Sequence, residues 1–107
     1  MRILIDECLN WRRGRALTGH YAVSAQKLGW GGVKNGRLMA LAVENAFDVF
    51  LTGDRNLNFQ QNMTQYDIAV VVLVAEGIQL HRTLPLMPKV LALLPTLKPG
   101  QVVEVGP

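Results

Sequence analysis

Ile68-Ala69-Val70-Val71-Val72-Leu73-Val74 is an apolar run without a polar interruption, and β-branched residues dominate it. Such residues suit a pleated surface, and a strand that is apolar on both sides is one that is covered on both sides. The run is expected to be a central strand of a mainly parallel sheet. Two shorter runs repeat the theme upstream. Arg2-Ile3-Leu4-Ile5-Asp6 reads as the first strand, and Asp48-Val49-Phe50-Leu51-Thr52 reads as the third. Each is followed by acid: Asp6 and Glu7 close the first, and Asp54 follows the second after Gly53.

Working outward, helical spacing spans Leu9 to Thr18 and stops at Gly19, a residue suited to the left-handed turn after a helix. A second strand is expected over His20 to Ala25. Gly29-Trp30-Gly31-Gly32-Val33-Lys34-Asn35-Gly36 is a loop by its glycine content. Arg37 to Asn45 then reads as a helix with Leu38, Leu41 and Ala42 on its apolar face. Arg55 to Gln65 is irregular or a short helix. Gln79 to Leu94 has helical spacing broken by Pro85 and Pro88, and Gln101 to Val105 supplies a last strand. Strands alternating with helices give an α/β domain of four to five strands, residues 1–107 forming one unit.

The 107 residues, half of them hydrophobic, suffice for one core. The longest apolar run, Ile68 to Ala75, falls far short of the ~20 residues that cross a bilayer, so no membrane partner is expected. Cys8 is the single cysteine and has no disulfide partner within the chain, which favours a reducing, cytoplasmic setting. The formal charge is +3, with Arg12, Arg13 and Arg15 clustered. That cluster suits either phosphates or a solvated helix face.

Chemistry is expected where the acids gather. In open α/β sheets ligands bind beyond the carboxyl ends of the strands, which is where Asp6, Glu7 and Asp54 are placed. Mg²⁺ and Mn²⁺ prefer carboxylate oxygens, and Mg²⁺ is commonly held by one or two of them with water and phosphate completing its shell. Asp6 and Asp54 are the candidate ligands, and Glu7 is a third. The alternative is that both aspartates are turn or cap residues. Asn35 and Asn58 lie in loops around the same end, and Glu44 reaches it only if its helix is rotated toward the crevice. Trp30 either stacks on a base or caps the core edge. His20 and His81 lack partners at zinc spacing and are assigned to structure. Cys8 lacks the arginine six residues on that a phosphatase loop requires, since Gly14 stands there.

Ile3-Leu4-Ile5-Asp6-Glu7, the glycine-rich loop at 29–36 and Leu51-Thr52-Gly53-Asp54-Arg55-Asn56-Leu57 together resemble a PIN-like nuclease domain. The nearest likeness is to a short bacterial family of uncharacterised PIN-like proteins proposed as toxins of toxin-antitoxin systems. The resemblance covers nearly the whole chain and implies a three-layer Rossmann-like fold and a Mg²⁺ or Mn²⁺ site. It further implies single-stranded RNA as substrate and an antitoxin protein as partner, with a homodimer left open. By that likeness Asp6, Glu7 and Asp54 are catalytic and metal-binding, with Asn35, Glu44 and Asn58 in support. Arg12, Arg13, Lys34, Arg55 and Trp30 are the expected RNA contacts. Related sequences often carry Asp and Glu at the start of the second helix, where this chain has Asn35 and Arg37. That departure motivates a rival reading, a degenerate domain that binds RNA or protein. A third reading is a phospho-accepting receiver domain with Asp54 as acceptor, opposed by the Arg55-Asn56-Leu57 that follows and by the setting of Lys98 before Pro99.

Overall fold

A computed structural model describes residues 1–9, 16–55, 64–74 and 84–107, with the side chain of Asn35 outside that description. Five strands form one all-parallel sheet: β1 Arg2–Ile5, β2 Tyr21–Ser24, β3 Val49–Thr52, β4 Ala69–Leu73 and β5 Val102–Val105. Their order is β2-β1-β3-β4-β5. The chain moves from β1 outward to β2, then crosses back to β3 on the other flank of β1. The reversal makes the β1/β3 seam the topological switch point, where α/β sheets open a crevice at their carboxyl ends.

The alternation of side chains divides the core into two layers. Leu4, Phe50, Val70 and Val72 face helix α1, Asn35–Glu44, and meet its Leu38, Met39 and Ala42. On the opposite face Ile3, Ile5, Leu51, Val71 and Leu73 meet Met87 and Val90 of helix α2, Met87–Leu93, together with Leu9, Leu17 and Leu94. The result is a three-layer α/β fold. The run that begins at Ile68 is an interior strand as expected, and every residue of β4 is buried because it has a strand on each edge and apolar side chains above and below.

Local chemistry sets the boundaries of the elements. Pro85, Pro88 and Pro95 divide the last helical region as their missing N–H groups require: a 3-10 turn over Leu84–Leu86, then α2, then a second 3-10 turn over Leu94–Thr96. Gly19 has φ of +85°, in the left-handed region expected of it, but Leu17 and Thr18 before it form a bend and a turn rather than the end of an α-helix. Most of the helix expected over Leu9 to Thr18 falls on residues 10–15, and most of the Arg55 to Gln65 segment on residues 56–63, so both lie outside the described residues. α1 begins two residues earlier than its spacing indicated and ends at Glu44, one residue short of the expected Asn45, which caps it with its N–H bonded to the Leu41 carbonyl at 3.0 Å. Ala46 follows with φ of +60°, a turn that costs an L-residue with a Cβ ~1 kcal/mol. Among the described residues no helix is long and apolar enough to cross a membrane.

Candidate functional site

Asp6 is the residue immediately after β1. Its N–H continues the ladder to the Leu51 carbonyl at 2.9 Å, so its Cα is fixed at the β1/β3 seam. Its side chain is only 8% exposed. A buried carboxylate needs donors, and two reach Oδ2: the Thr52 hydroxyl at 2.7 Å and the Cys8 thiol at 3.4 Å. Thr52 itself is fully buried at the end of β3. Its Oγ1 also accepts the Asp54 N–H at 3.0 Å, so one hydroxyl ties the Asp6 carboxylate to the backbone of Asp54. The two aspartates therefore share one rim, across the switch point.

Glu7 is exposed on the same rim, and its Oε2 accepts the Gly32 N–H at 2.9 Å. Gly32 adopts φ of +78°, a conformation that presents the amide to Glu7 without the strain of a Cβ. The neighbouring Gly31 is packed against the same carboxylate: a Cβ there would stand 3.3 Å from Oε2. The glycine loop is thus held against the end of β1, and it delivers Lys34 and the first turn of α1 to the rim. Lys34 and Arg37 are exposed, α1 has no acid in its first turn, and Arg55 is exposed beyond Asp54. Lys34 and Arg37 stand at the start of α1 and Arg55 next to Asp54 in the chain, so the segments that meet this rim carry exposed cations and a helix N-terminus, features that attract phosphate.

Other expected residues fall elsewhere. Glu44 is the last residue of α1, and the carbonyl of the next residue, Asn45, accepts from Arg2 Nε at 3.3 Å. That places Glu44 at the amino edge of the sheet, the length of β1 away from Asp6, or about 13 Å at ~3.3 Å per residue. A helix that returns across a parallel sheet runs against the strands, so its last turn is remote from the carboxyl rim. The expectation that Glu44 supports the acids is corrected accordingly. Trp30 is also corrected as a base platform: its ring meets Phe47 edge-on at 6.1 Å and packs on the α1 side of the core, the alternative read from its glycine flanks. Asn35 opens α1 at the rim, with its side chain outside the description. Arg12, Arg13 and Asn58 lie outside the described residues. His20 serves structure, with Nδ1 accepting from the Met1 amino group at 3.1 Å.

Sequence reasoning assigned no role to Thr52 or Cys8. The available signal was a hydroxyl ending an otherwise apolar strand, since a buried hydroxyl has to be hydrogen-bonded. Among the described residues no three His, Cys, Asp or Glu side chains gather closely enough to hold a metal ion. The donor set at the rim is two aspartates with all-oxygen chemistry, which suits Mg²⁺ or Mn²⁺ bound mainly through water and substrate. Among the described residues, the hydrogen bonds donated to the Asp6 side chain fall on Oδ2.

Cys8 is held protonated. Partial burial of the sulfur, then the charge of Asp6 and the hydrogen bond to it, raise its pKa above the ordinary 9.0, while contacts with the Gly53 backbone and Thr52 act in the opposite sense. A group with a raised folded-state pKa favours folding below its unfolded value, and that contribution is lost as pH rises through the folded value. Alkylation by iodoacetamide should therefore show a pH midpoint above 9.0 in the folded protein and an ordinary midpoint in urea. Asp6→Asn should lower the folded midpoint. A folded-state midpoint at or below the ordinary value would contradict this placement of the thiol. No family model, curated protein or solved structure matches the chain.

Proposed function

We propose that the chain is a metal-dependent endoribonuclease that cleaves single-stranded RNA, as the resemblance to PIN-like domains implies, and that it acts in the cytoplasm as the toxin of a toxin-antitoxin pair. The observation that supports this reading best is the Asp6–Thr52–Asp54 linkage at the switch point, because it buries one carboxylate beside the backbone of a second at the place where α/β sheets as a class bind ligands. Asp6 and Asp54 would hold the ion. When bound, a divalent ion lowers the pKa of a coordinated water and offsets the negative charge that builds on a phosphodiester. Glu7 holds the glycine loop that leads into Lys34 and the start of α1, and the exposed Lys34 and Arg55 would draw the RNA backbone toward the acids.

A second reading, a degenerate domain that binds RNA or protein, is favoured by Asn35 and Arg37 at the start of α1 and by the commitment of Glu7 Oε2 to Gly32. The receiver reading is opposed by position. Lys98 lines a crevice at the amino edge with Asp48 and Asp67, remote from Asp54.

Calorimetric titration with Mn²⁺, with and without a single-stranded RNA, separates the first two. The nuclease reading expects Mn²⁺ binding that tightens with RNA, and cleavage that stops with EDTA and returns with excess Mn²⁺. RNA binding with neither Mn²⁺ uptake nor cleavage would establish the binding module instead.

A further inference from the structure

The two edges of the sheet are finished differently. β5 carries Glu104 within the strand, and beyond its end the Gly106 carbonyl accepts from Lys89 Nζ at 2.7 Å. β2, Tyr-Ala-Val-Ser, has neither a charge nor a proline, the usual means by which an exposed edge is protected against further pairing. Its inner side is fully used. Tyr21 donates to the Met1 carbonyl at 3.0 Å and Ala25 to the Ile5 carbonyl at 2.8 Å, and the parallel register sets Val23 between them in the same orientation. In a parallel ladder the alternate residues turn both backbone groups outward, so Ala22 and Ser24 face away from β1. The Ser24 carbonyl is taken by the Leu28 N–H at 3.3 Å. The Ala22 N–H, the Ala22 carbonyl and the Ser24 N–H have no partner among the described residues.

A groove of about 580 Å³ lies along these groups, lined by Tyr21 through Ser24 and by Gln26, Lys27 and Leu28. Successive strand side chains point to opposite faces, so a groove touching all four β2 residues follows the edge rather than one face. Tyr21, 49% exposed, and Leu28 give it apolar walls, and Lys27 is its one charged residue among those described.

We propose that β2 is a strand-addition site for an extended, acidic segment of a partner protein. Main-chain bonds to the outward N–H and carbonyl of Ala22 would supply the pairing next to the buried Ser24, and side chains set against Tyr21, Leu28 and Lys27 the selectivity. The charge argues against a second copy as occupant: it would bring another Lys27 and another net +3 to a groove that holds no carboxylate among the described residues. The inference stands apart from the nuclease reading, since it uses the outer edge of the sheet and none of the rim acids.

The test uses the full chain and a short fluorescein-labelled peptide of alternating glutamate and valine, with a lysine-valine peptide as control. The glutamate peptide should bind at least about tenfold more tightly and shift the Ala22 and Ser24 amide resonances most. Ala22→Pro removes an outward donor but no ladder donor, and should weaken binding about tenfold. Lys27→Glu should reverse the preference between the two peptides. Absence of shifts at Ala22 and Ser24, or equal binding of the two peptides, would overturn the proposal. So would sedimentation showing a dimer that Ala22→Pro dissociates, because the occupant would then be a second copy.

Discussion

Replacing Asp6 by asparagine is expected to lower Mn²⁺-dependent cleavage of single-stranded RNA by on the order of 10²- to 10³-fold while the protein stays folded. The substitution keeps the size of the side chain and one acceptor oxygen, so the Thr52 hydroxyl retains its partner. It removes the charge. A direct ligand to a divalent ion contributes through that charge, and several kcal/mol of transition-state stabilisation correspond to factors of this size. Stability should fall by no more than about 1–2 kcal/mol, because the amide oxygen can stay where Oδ2 receives both the Thr52 hydroxyl and the Cys8 thiol, while the NH₂ group that replaces the other oxygen must find an acceptor. Asp54→Asn should reduce cleavage comparably, and it leaves in place the backbone bond from Asp54 to Thr52. Glu44→Gln serves as the control and should leave cleavage unchanged. Undiminished cleavage by purified Asp6→Asn, measured on the same RNA and Mn²⁺ concentration, would end the nuclease reading.

The sheet was the legible part of this chain. Continuous apolar segments such as Val49-Phe50-Leu51 and Ile68 to Val74 can be satisfied only by cover on both faces, and that requirement is local enough to be read directly. Pro85 and Pro88 were equally plain, because a missing donor acts at its own position. The start of α1 was obscured because Asn35 and Gly36 are weak helix formers; the turn closes through Leu38 N–H to the Lys34 carbonyl at 2.8 Å, with Lys34 still extended. The site was legible in part. That Asp6 and Asp54 follow neighbouring strands could be inferred from the pattern, but which side chain joins them could not, since the Thr52–Asp6 bond spans 46 residues. Glu44 failed for a global reason: the direction in which α1 crosses the sheet decides which of its ends meets the rim, and helical phase carries no information on that.

Thr52 supplies the more searching test, because its effect on folding does not depend on any assumed activity. Thr52→Val keeps the shape of a fully buried side chain and deletes the hydroxyl that donates to Asp6 Oδ2 at 2.7 Å. Valine in place of threonine is volume-conserving yet not neutral where the hydroxyl is bonded. A hydrogen bond to a charged group contributes ~1.5–3 kcal/mol, and the Asp6 carboxylate left behind remains mostly buried with the Cys8 thiol as its side-chain donor among the described residues. We expect a loss of about 2–3 kcal/mol, seen as a melting temperature lower by roughly 10 °C or more. Thr52→Ser keeps the hydroxyl and loses one methyl, for about 1 kcal/mol. The order wild type, serine, valine is what a hydroxyl-centred role demands; if packing alone set the stability, valine would melt at or above serine. The same pair of variants reads out Thr52 as a positioning residue. Valine should raise the Mn²⁺ concentration needed for half-maximal cleavage by freeing both aspartates from their common anchor, and serine should restore it.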